Sequence, residues 1–224
     1  MEIRVLSWNL FHGRSQPPSG RDLLDEFAGT LAGWRWDVAL LQEVPPWWPR
    51  PLAEATGAAW ASVATSRNWL PPLQRWLAVR WPDRVRSNGG GANAILVRGG
   101  DRIAEHRRRH VRWRPERRLV HAARLDSGLW VANMHLTVPR DDPGQDDLRR
   151  AVRAVRGWAP SGPLVFGGDV NQVRPSVPEL EHVAGHHVDH LFVRGLRRRG
   201  KAELLERGTL SDHVPLAVDL VDAP

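Results

Sequence analysis

Two stretches decide the architecture, IRVLSWNLF at residues 3–11 and DVALLQE at residues 37–43. Each is a nearly unbroken apolar run, which suits a strand buried on both faces. Between them Leu23, Phe27, Leu31 and Trp34 recur at helical spacing, with Ser19 placed to cap the helix start. A helix of that kind covers the first strand and makes the second its neighbour. Asn9 then ends strand one. Glu43 ends strand two, because Pro45 and Pro46 stop the run at once.

The rest of the chain adds strands faster than helices. Residues 45–91 are the least regular part, with several prolines and Trp47, Trp48, Trp60, Trp69, Trp76 and Trp81. Short helices over 51–56, closed by Gly57, and over 72–79 fit there, with a strand over 60–65 between them. The glycines at 89–91 turn the chain into a strand over 92–97. They are not a dinucleotide fingerprint, since no helix follows. Gly99 and Gly100 lead into a strand from Ile103, and residues 119–125 and 129–136 make a hairpin that delivers His135. Leu148, Val152, Val155 and Trp158 mark a second amphipathic helix. Then come a strand over 163–166, a minor helix from Ser176, a strand over 188–193, a polar hairpin through 197–206 and a last strand over 214–221. Many strands with few, widely spaced helices predict an α/β (α+β) protein of two packed sheets with helices outside, in one domain spanning 1–224.

Composition narrows the function. Hydrophobic residues make up 42% and charged residues 25% of the 224, an ordinary globular balance. No apolar run approaches the ~20 residues that cross a bilayer. The first run carries Glu2 and a motif residue, unlike a cleavable leader, so a cytoplasmic protein is expected. With no cysteine, disulfides, thiolate zinc sites and cysteine nucleophiles are excluded, and any metal must be held by oxygen or nitrogen. The net charge of +7 draws polyanions. All 32 basic residues except Lys201 are arginine, a skew that a GC-rich coding sequence explains, so the charge counts as evidence and the arginine preference does not.

Polar motifs sit where the buried runs end. An amide oxygen at Asn9 and a carboxylate at Glu43 are hard ligands of the type Mg²⁺ takes, although a capped turn and a surface acid would look the same. Asp169 and Asn171 follow a double glycine. There the aspartate can orient or deprotonate a water while the asparagine donates to a phosphoryl oxygen; a plain Asx-turn is the alternative. His213 follows Asp212, and Asp189 is a candidate partner for it, since carboxylate contact favours the imidazolium. His106, His110, His182, His186 and His187 read as surface or packing residues.

Taken in order, Trp8-Asn9, Gln42-Glu43, Asn133-Met134-His135, Gly168-Asp169-Val170-Asn171, Val188-Asp189-His190 and Ser211-Asp212-His213 resemble the landmarks of the endonuclease/exonuclease/phosphatase superfamily, across nearly the whole chain. The resemblance implies a DNase I-like four-layer α/β/β/α sandwich and Mg²⁺-dependent cleavage of a phosphate ester, with Mn²⁺ as a substitute. It implies Asn9, Glu43 and Asp212 as metal ligands and Asp169 as the residue that orients the attacking water. Asn171 and His135 become phosphate and transition-state binders, and His213, paired with Asp189, the second catalytic histidine. Arg118 is a candidate phosphate contact, and Arg117 an alternative to it.

The superfamily includes nucleases, inositol-phosphate phosphatases and sphingomyelin-type phosphodiesterases, so the motif leaves the substrate open. For DNA stands the basic stretch 107–118: if extended, it lines Arg108, His110, Arg112 and Arg114 along one face, as a substrate track or as a charged edge strand. Arg197, Arg198 and Arg199 are expected at a hairpin tip. The tryptophans of 45–91 suit a lipid-facing patch, a base platform or satellite core. A DNA endonuclease is the first reading, a phospholipid or small-phosphoester hydrolase the second, and a silent binding module is disfavoured because every key position is filled. A monomer without protein partners is expected.

Overall fold

A computed structural model describes residues 1–65, 71–81, 91–114, 116–138 and 143–224. Among the described residues twelve strands form two six-stranded sheets. The first contains β1 (Glu2–Asn9), β2 (Val38–Val44), β3 (Ala59–Ala64), β4 (Ala92–Val97), β11 (Leu196–Leu204) and β12 (Leu216–Asp222), in the order β11-β12-β1-β2-β4-β3. The second contains β5 (Ile103–Arg112), β6 (Arg118–Leu125), β7 (Trp130–His135), β8 (Leu164–Asp169), β9 (Glu181–His186) and β10 (Asp189–Arg194), in the order β5-β6-β7-β8-β10-β9.

Each sheet has one parallel pair, β1 with β2 and β7 with β8, and the remaining neighbours are antiparallel. A parallel pair needs a crossover, supplied by α1 (Leu24–Gly33) in the first sheet and α4 (Pro143–Trp158) in the second. Because the crossover carries the chain back before the second strand begins, both strands of a pair end at the same edge. That topology gathers Asn9, Glu43, His135 and Asp169 at strand ends.

Period-two alternation sorts the side chains into layers. On β1, Val5 faces the other sheet, whereas Leu6, Trp8 and Leu10 pack outward with Phe27 and Leu31 of α1 and Leu52 of α2 (Pro49–Thr56). Behind the second sheet Ala132, Met134 and Phe166 pack against Leu148, Ala151 and Val155 of α4. The four layers are therefore α/β/β/α, the DNase I-like sandwich. Between the sheets the core is apolar at one end, through Val5, Leu40, Ile95, Val131, Val165 and Val218. It turns polar towards the ends of the parallel pairs, where Asn9, Gln42, Asn133, His135, Asp169 and Asp189 are all buried.

Asn133 holds the polar end together. Its amide nitrogen donates to the carbonyls of Leu41 and Ala94 on the opposite sheet, both at 2.8 Å, and its Oδ1 accepts from Gln42 Nε2 at 2.8 Å. The β2/β4 register shifts just beyond Leu41, so this side chain bonds the backbone where the ladder is irregular.

Several local expectations are corrected. Ser19 does not cap α1. The helix starts at Leu24, where Asp22 Oδ1 accepts the Leu24 N–H at 3.3 Å, and the Ser19 hydroxyl serves Arg21 instead. No helix forms from Ser176, and the chain turns at 178–180 into β9, an edge strand that periodicity did not reveal. Arg197, Arg198 and Arg199 lie along β11 rather than at a tip, with Arg199 bonded to Glu2 and Arg198 to the Val183 carbonyl. The tryptophan region divides. Trp48 is buried against Phe27, and Trp60, Trp76 and Trp81 are exposed, the last two on or beside α3 (Pro71–Arg80). Trp69 and the glycine turn at 88–90 lie outside the described residues. No described helix is long and apolar enough to cross a membrane.

Asn133→Ala would strand two backbone carbonyls and one N–H of the Gln42 amide inside the sandwich, at about 1–3 kcal/mol for each unmet group. We expect a loss of about 3–5 kcal/mol and a melting temperature lowered by roughly 6–20 °C, read by calorimetry. A variant melting with the parent protein would show that the amide bridge is dispensable.

Candidate active site

Asp169 is the centre of the polar end. It is reached through Gly167 and Gly168, and both glycines are required by space: a Cβ on Gly167 would stand 2.4 Å from the His190 carbonyl, and one on Gly168 2.2 Å from the Met134 carbonyl. Gly168 also has φ +127°, a conformation other residues rarely adopt. Asp169 Oδ2 accepts from Asn9 Nδ2 at 2.9 Å and lies 3.6 Å from His135 Nε2 and 3.9 Å from His213 Nε2. Asp169 Oδ1 accepts the Asn171 N–H at 3.0 Å, which is the Asx-turn. Asn171 also donates one side-chain N–H to the Leu136 carbonyl at 2.8 Å, which leaves a second N–H on the amide.

His213 is set from both sides. Its Nδ1 is 2.7 Å from Asp189 Oδ2, as the sequence suggested. Its N–H donates to Ser211 Oγ, and that hydroxyl donates to the Asn9 carbonyl at 2.7 Å. The Ser-Asp-His turn is thereby tied to the end of β1, and Asp212 follows that tie with its Oδ1 4.0 Å from His213 Nε2. On the other flank Asn9 pairs with Gln42, so Glu43 follows next to it.

Glu43 has φ +48° and directs its carboxylate between two histidines, with Oε2 3.1 Å from His12 Nε2 and Oε1 3.7 Å from His135 Nε2. His12 was not anticipated. Its only signal was position, three residues past Asn9.

Burial and charge divide the histidines. Burial pushes His135 well below the usual range, helped by Arg118, His12 and His213, so its imidazole is neutral near pH 7. Burial works against the charged form of His213 too, but the Asp189 hydrogen bond and charge, with Asp169 and Asp212 behind, outweigh it and raise the group to about 9. Asp169 is raised to about 7, first by burial and then by Asp189. A site that pushes its titratable groups apart in this way can hold an acid and a base at one pH.

Among the described residues one acid and histidine cluster converges as metal ligands do, and the ligands implied by the motifs form a second, looser set. Asp169, Asp189 and His213 offer ligand atoms within 4.8 Å of one another. Their carboxylates are only 3% and 4% exposed, however, and are already bonded to Asn9 and His213, which leaves little room for the waters Mg²⁺ retains. Glu43 and Asp212 are 20% and 31% exposed, and each is one residue along from a contact of Asn9, Gln42 or Ser211. Asn9 Oδ1 accepts the Phe11 N–H at 2.9 Å and keeps a second lone pair. This oxygen-rich set fits a hard divalent ion better.

The arginines separate. Arg118 is largely buried; one of its terminal nitrogens bonds Glu116, and its Nε is buried without a partner among the described residues. It is close enough to depress His135. Arg112 does not extend the basic face: a register shift after His110 breaks the alternation, and its Nε binds the buried Asp147 at 2.8 and 3.0 Å. His110 stacks on Trp113 at 3.7 Å, and the Arg117 guanidinium lies over the same ring. Arg114 is exposed.

The folded-state shifts fix a pH dependence. Both His213 and Asp169 titrate higher in the folded protein than in the unfolded chain. Their stabilising contribution is therefore full below the unfolded values and lost as pH rises, from 3.8 to about 7 for Asp169 and from 6.5 to about 9 for His213. In EDTA, the His213 ring proton should titrate near 9 by NMR, and Asp189→Asn should bring the midpoint back towards 6.5. An unmoved midpoint would remove Asp189 as the cause.

Comparison with curated protein sequences gives no match. Solved structures with the same fold include an endonuclease/exonuclease/phosphatase from Bacteroides vulgatus, with 14% identity, TM-score 0.74 and all of both chains covered. Truncated Caenorhabditis elegans TDP2 matches with 18% identity, TM-score 0.67 and 98% of each chain. A mannosyl-6-phosphatase from Bacteroides thetaiotaomicron matches with 15% identity and TM-score 0.71, over 98% of this chain and 99% of that one. The model of the Endonuclease/Exonuclease/phosphatase family matches residues 6–213. With that match over nearly the whole sandwich, the chain belongs to this family of phosphoesterases.

Proposed function

We propose that the protein is a divalent-metal-dependent phosphodiesterase that cuts DNA as an endonuclease, by in-line attack of water on phosphorus. The observation that carries the reading is the facing of two half-sites. Asn9 is tied to Gln42 and Ser211, the chain neighbours of Glu43 and Asp212, and His135, Asn171 and His213 surround the Asp169 carboxylate beside it. Asn9, Glu43 and Asp212 would hold Mg²⁺, or Mn²⁺ in its place, which would supply Lewis-acid polarisation of the phosphate and of the leaving oxygen.

The chain's own groups do the rest. Asp169, raised to about 7, accepts a proton from the attacking water and orients it, while Asn9 keeps one of its oxygens in place. His135 is neutral and donates to a phosphoryl oxygen, as does the second N–H of Asn171. His213, held as an imidazolium by Asp189, stabilises the charge that builds on the phosphate in the transition state. Arg118, whose charge reaches His135, keeps a further donor at its Nε, unpaired among the described residues.

DNA is favoured among phosphodiesters by the net charge and by the exposed Arg107, Arg108, Arg109 and Arg114 on and just after the edge strand β5. A lipid or other small phosphoester is the second reading. It is favoured by a groove of about 790 Å³ where Pro46, Trp47 and Trp76 meet Arg75 and Arg80, with Trp81 stacked edge-on to Trp76.

Nicking of supercoiled plasmid at moderate salt, with Mg²⁺ or EDTA, tests the proposal. Wild type should nick only with metal, and Glu43→Gln, Asp169→Asn and His213→Ala should each lose roughly 10²–10⁴-fold in rate with unchanged circular dichroism. Metal-independent nicking would overturn the mechanism, and inert DNA alongside turned-over phospholipid or small esters would move the substrate to the second reading. Arg114→Ala should weaken DNA binding and lower the slope of log affinity against log salt by about 0.9, as expected for one lost phosphate contact. An unchanged slope would take Arg114 out of the DNA track.

A further inference from the structure

We propose that His12 is a ligand of the metal centre through Nε2, and that it makes the site prefer Mn²⁺ or another first-row transition ion to Mg²⁺. The inference rests on the reading of Glu43 as a metal ligand and extends it to a residue outside the family landmarks.

The first observation is the backbone. Beyond Asn9 the chain makes a single 3-10 turn in which Phe11, His12 and Gly13 have φ of +49°, +55° and +75°, and Glu43 has φ +48°. Non-glycine residues avoid this region because Cβ crowds the following carbonyl. Three of them within one contact, Phe11, His12 and Glu43, are held by their surroundings, a pattern that accompanies functional sites.

The second observation is what holds them. The Leu10 N–H donates to the Gln42 carbonyl at 2.8 Å, which ties the turn to β2. Gly13 is pressed on the buried Trp48: a Cβ there would stand 2.4 Å from the indole ring. The turn has no slack, and His12 Nε2 is fixed 3.1 Å from Glu43 Oε2.

The third is the fit to an ion. Ligand bonds of about 2.1 Å place adjacent ligands of an octahedral ion roughly 3.0 Å apart, close to that separation. The His12 and Glu43 side chains are 16% and 20% exposed, so the pair lies at the solvent side of the site and not sealed within the core. An imidazole nitrogen beside carboxylate oxygens is a borderline donor, which raises affinity for Mn²⁺ and its heavier neighbours while Mg²⁺ favours oxygen alone. An ion pair that merely aims Glu43 would confer no such preference.

Three-pulse electron spin-echo spectra of the Mn²⁺-loaded protein and thermal-shift titrations with Mn²⁺ and Mg²⁺ read the claim without reference to turnover. Wild type should show ¹⁴N modulation from a directly bound imidazole, which persists in His135→Ala and is lost in His12→Ala and His12→Asn. The ratio of Mn²⁺ to Mg²⁺ affinity should fall about 10-fold in the His12 variants, mainly through Mn²⁺. Mn²⁺ that binds without ¹⁴N coupling in wild type, or with coupling and metal preference unchanged in a folded His12 variant, would overturn the role of His12 and leave the metal reading of Glu43 standing. Binding of neither ion by wild type would overturn both.

Discussion

The amide of Asn133 spans the seam between the two sheets, and the geometry of the site follows from it. Its bonds to Leu41, Ala94 and Gln42 lock β7 against β2 and β4 at the end where the sandwich core turns polar. Two residues along β7 on the same face stands His135, and one residue past Gln42 stands Glu43. A single buried bridge thus sets the approach of a residue from each sheet, which meet at 3.7 Å. Apolar packing alone would fix the spacing of the sheets less sharply, since it is not directional.

The second constraint is electrostatic. Asp169 and Asp189 are buried near one another, and the repulsion is managed by neighbours rather than by water. Asn9 donates to one carboxylate, and His213 carries a positive charge against the other. The same burial drives His135 the opposite way and keeps it neutral. Two histidines on facing sides of one carboxylate therefore differ in charge for a structural reason, the presence or absence of a directly bonded acid. This supports the proposed division between a charged stabiliser and a neutral donor.

Much of this was legible in the sequence because it depends on local patterns. Apolar runs, their proline stops and the helical spacing between them located the buried strands, and the double glycine marked the close approach at Gly167 and Gly168. The pairing of Asp189 with His213 was also anticipated, and the structure places the two at 2.7 Å. What failed depended on backbone detail or distant partners. Arg112 left the basic face because a bulge reversed the alternation and Asp147 lay waiting on α4. Arg197 to Arg199 looked like a tip because their partners, Glu2 and the Val183 carbonyl, are remote in sequence. His12 was invisible because its position depends on left-handed backbone at residues that do not favour it.

On the proposed reading the metal sits on the β1 flank and the proton and charge machinery on the β8 flank of one phosphate. Anomalous diffraction from crystals soaked in Mn²⁺ tests this most directly. We expect a peak within bonding distance of the Glu43 carboxylate, with Asp169, Asp189 and His213 still bonded as described. A peak bound instead by Asp169, Asp189 and His213, with Glu43 left to its histidines, would contradict it.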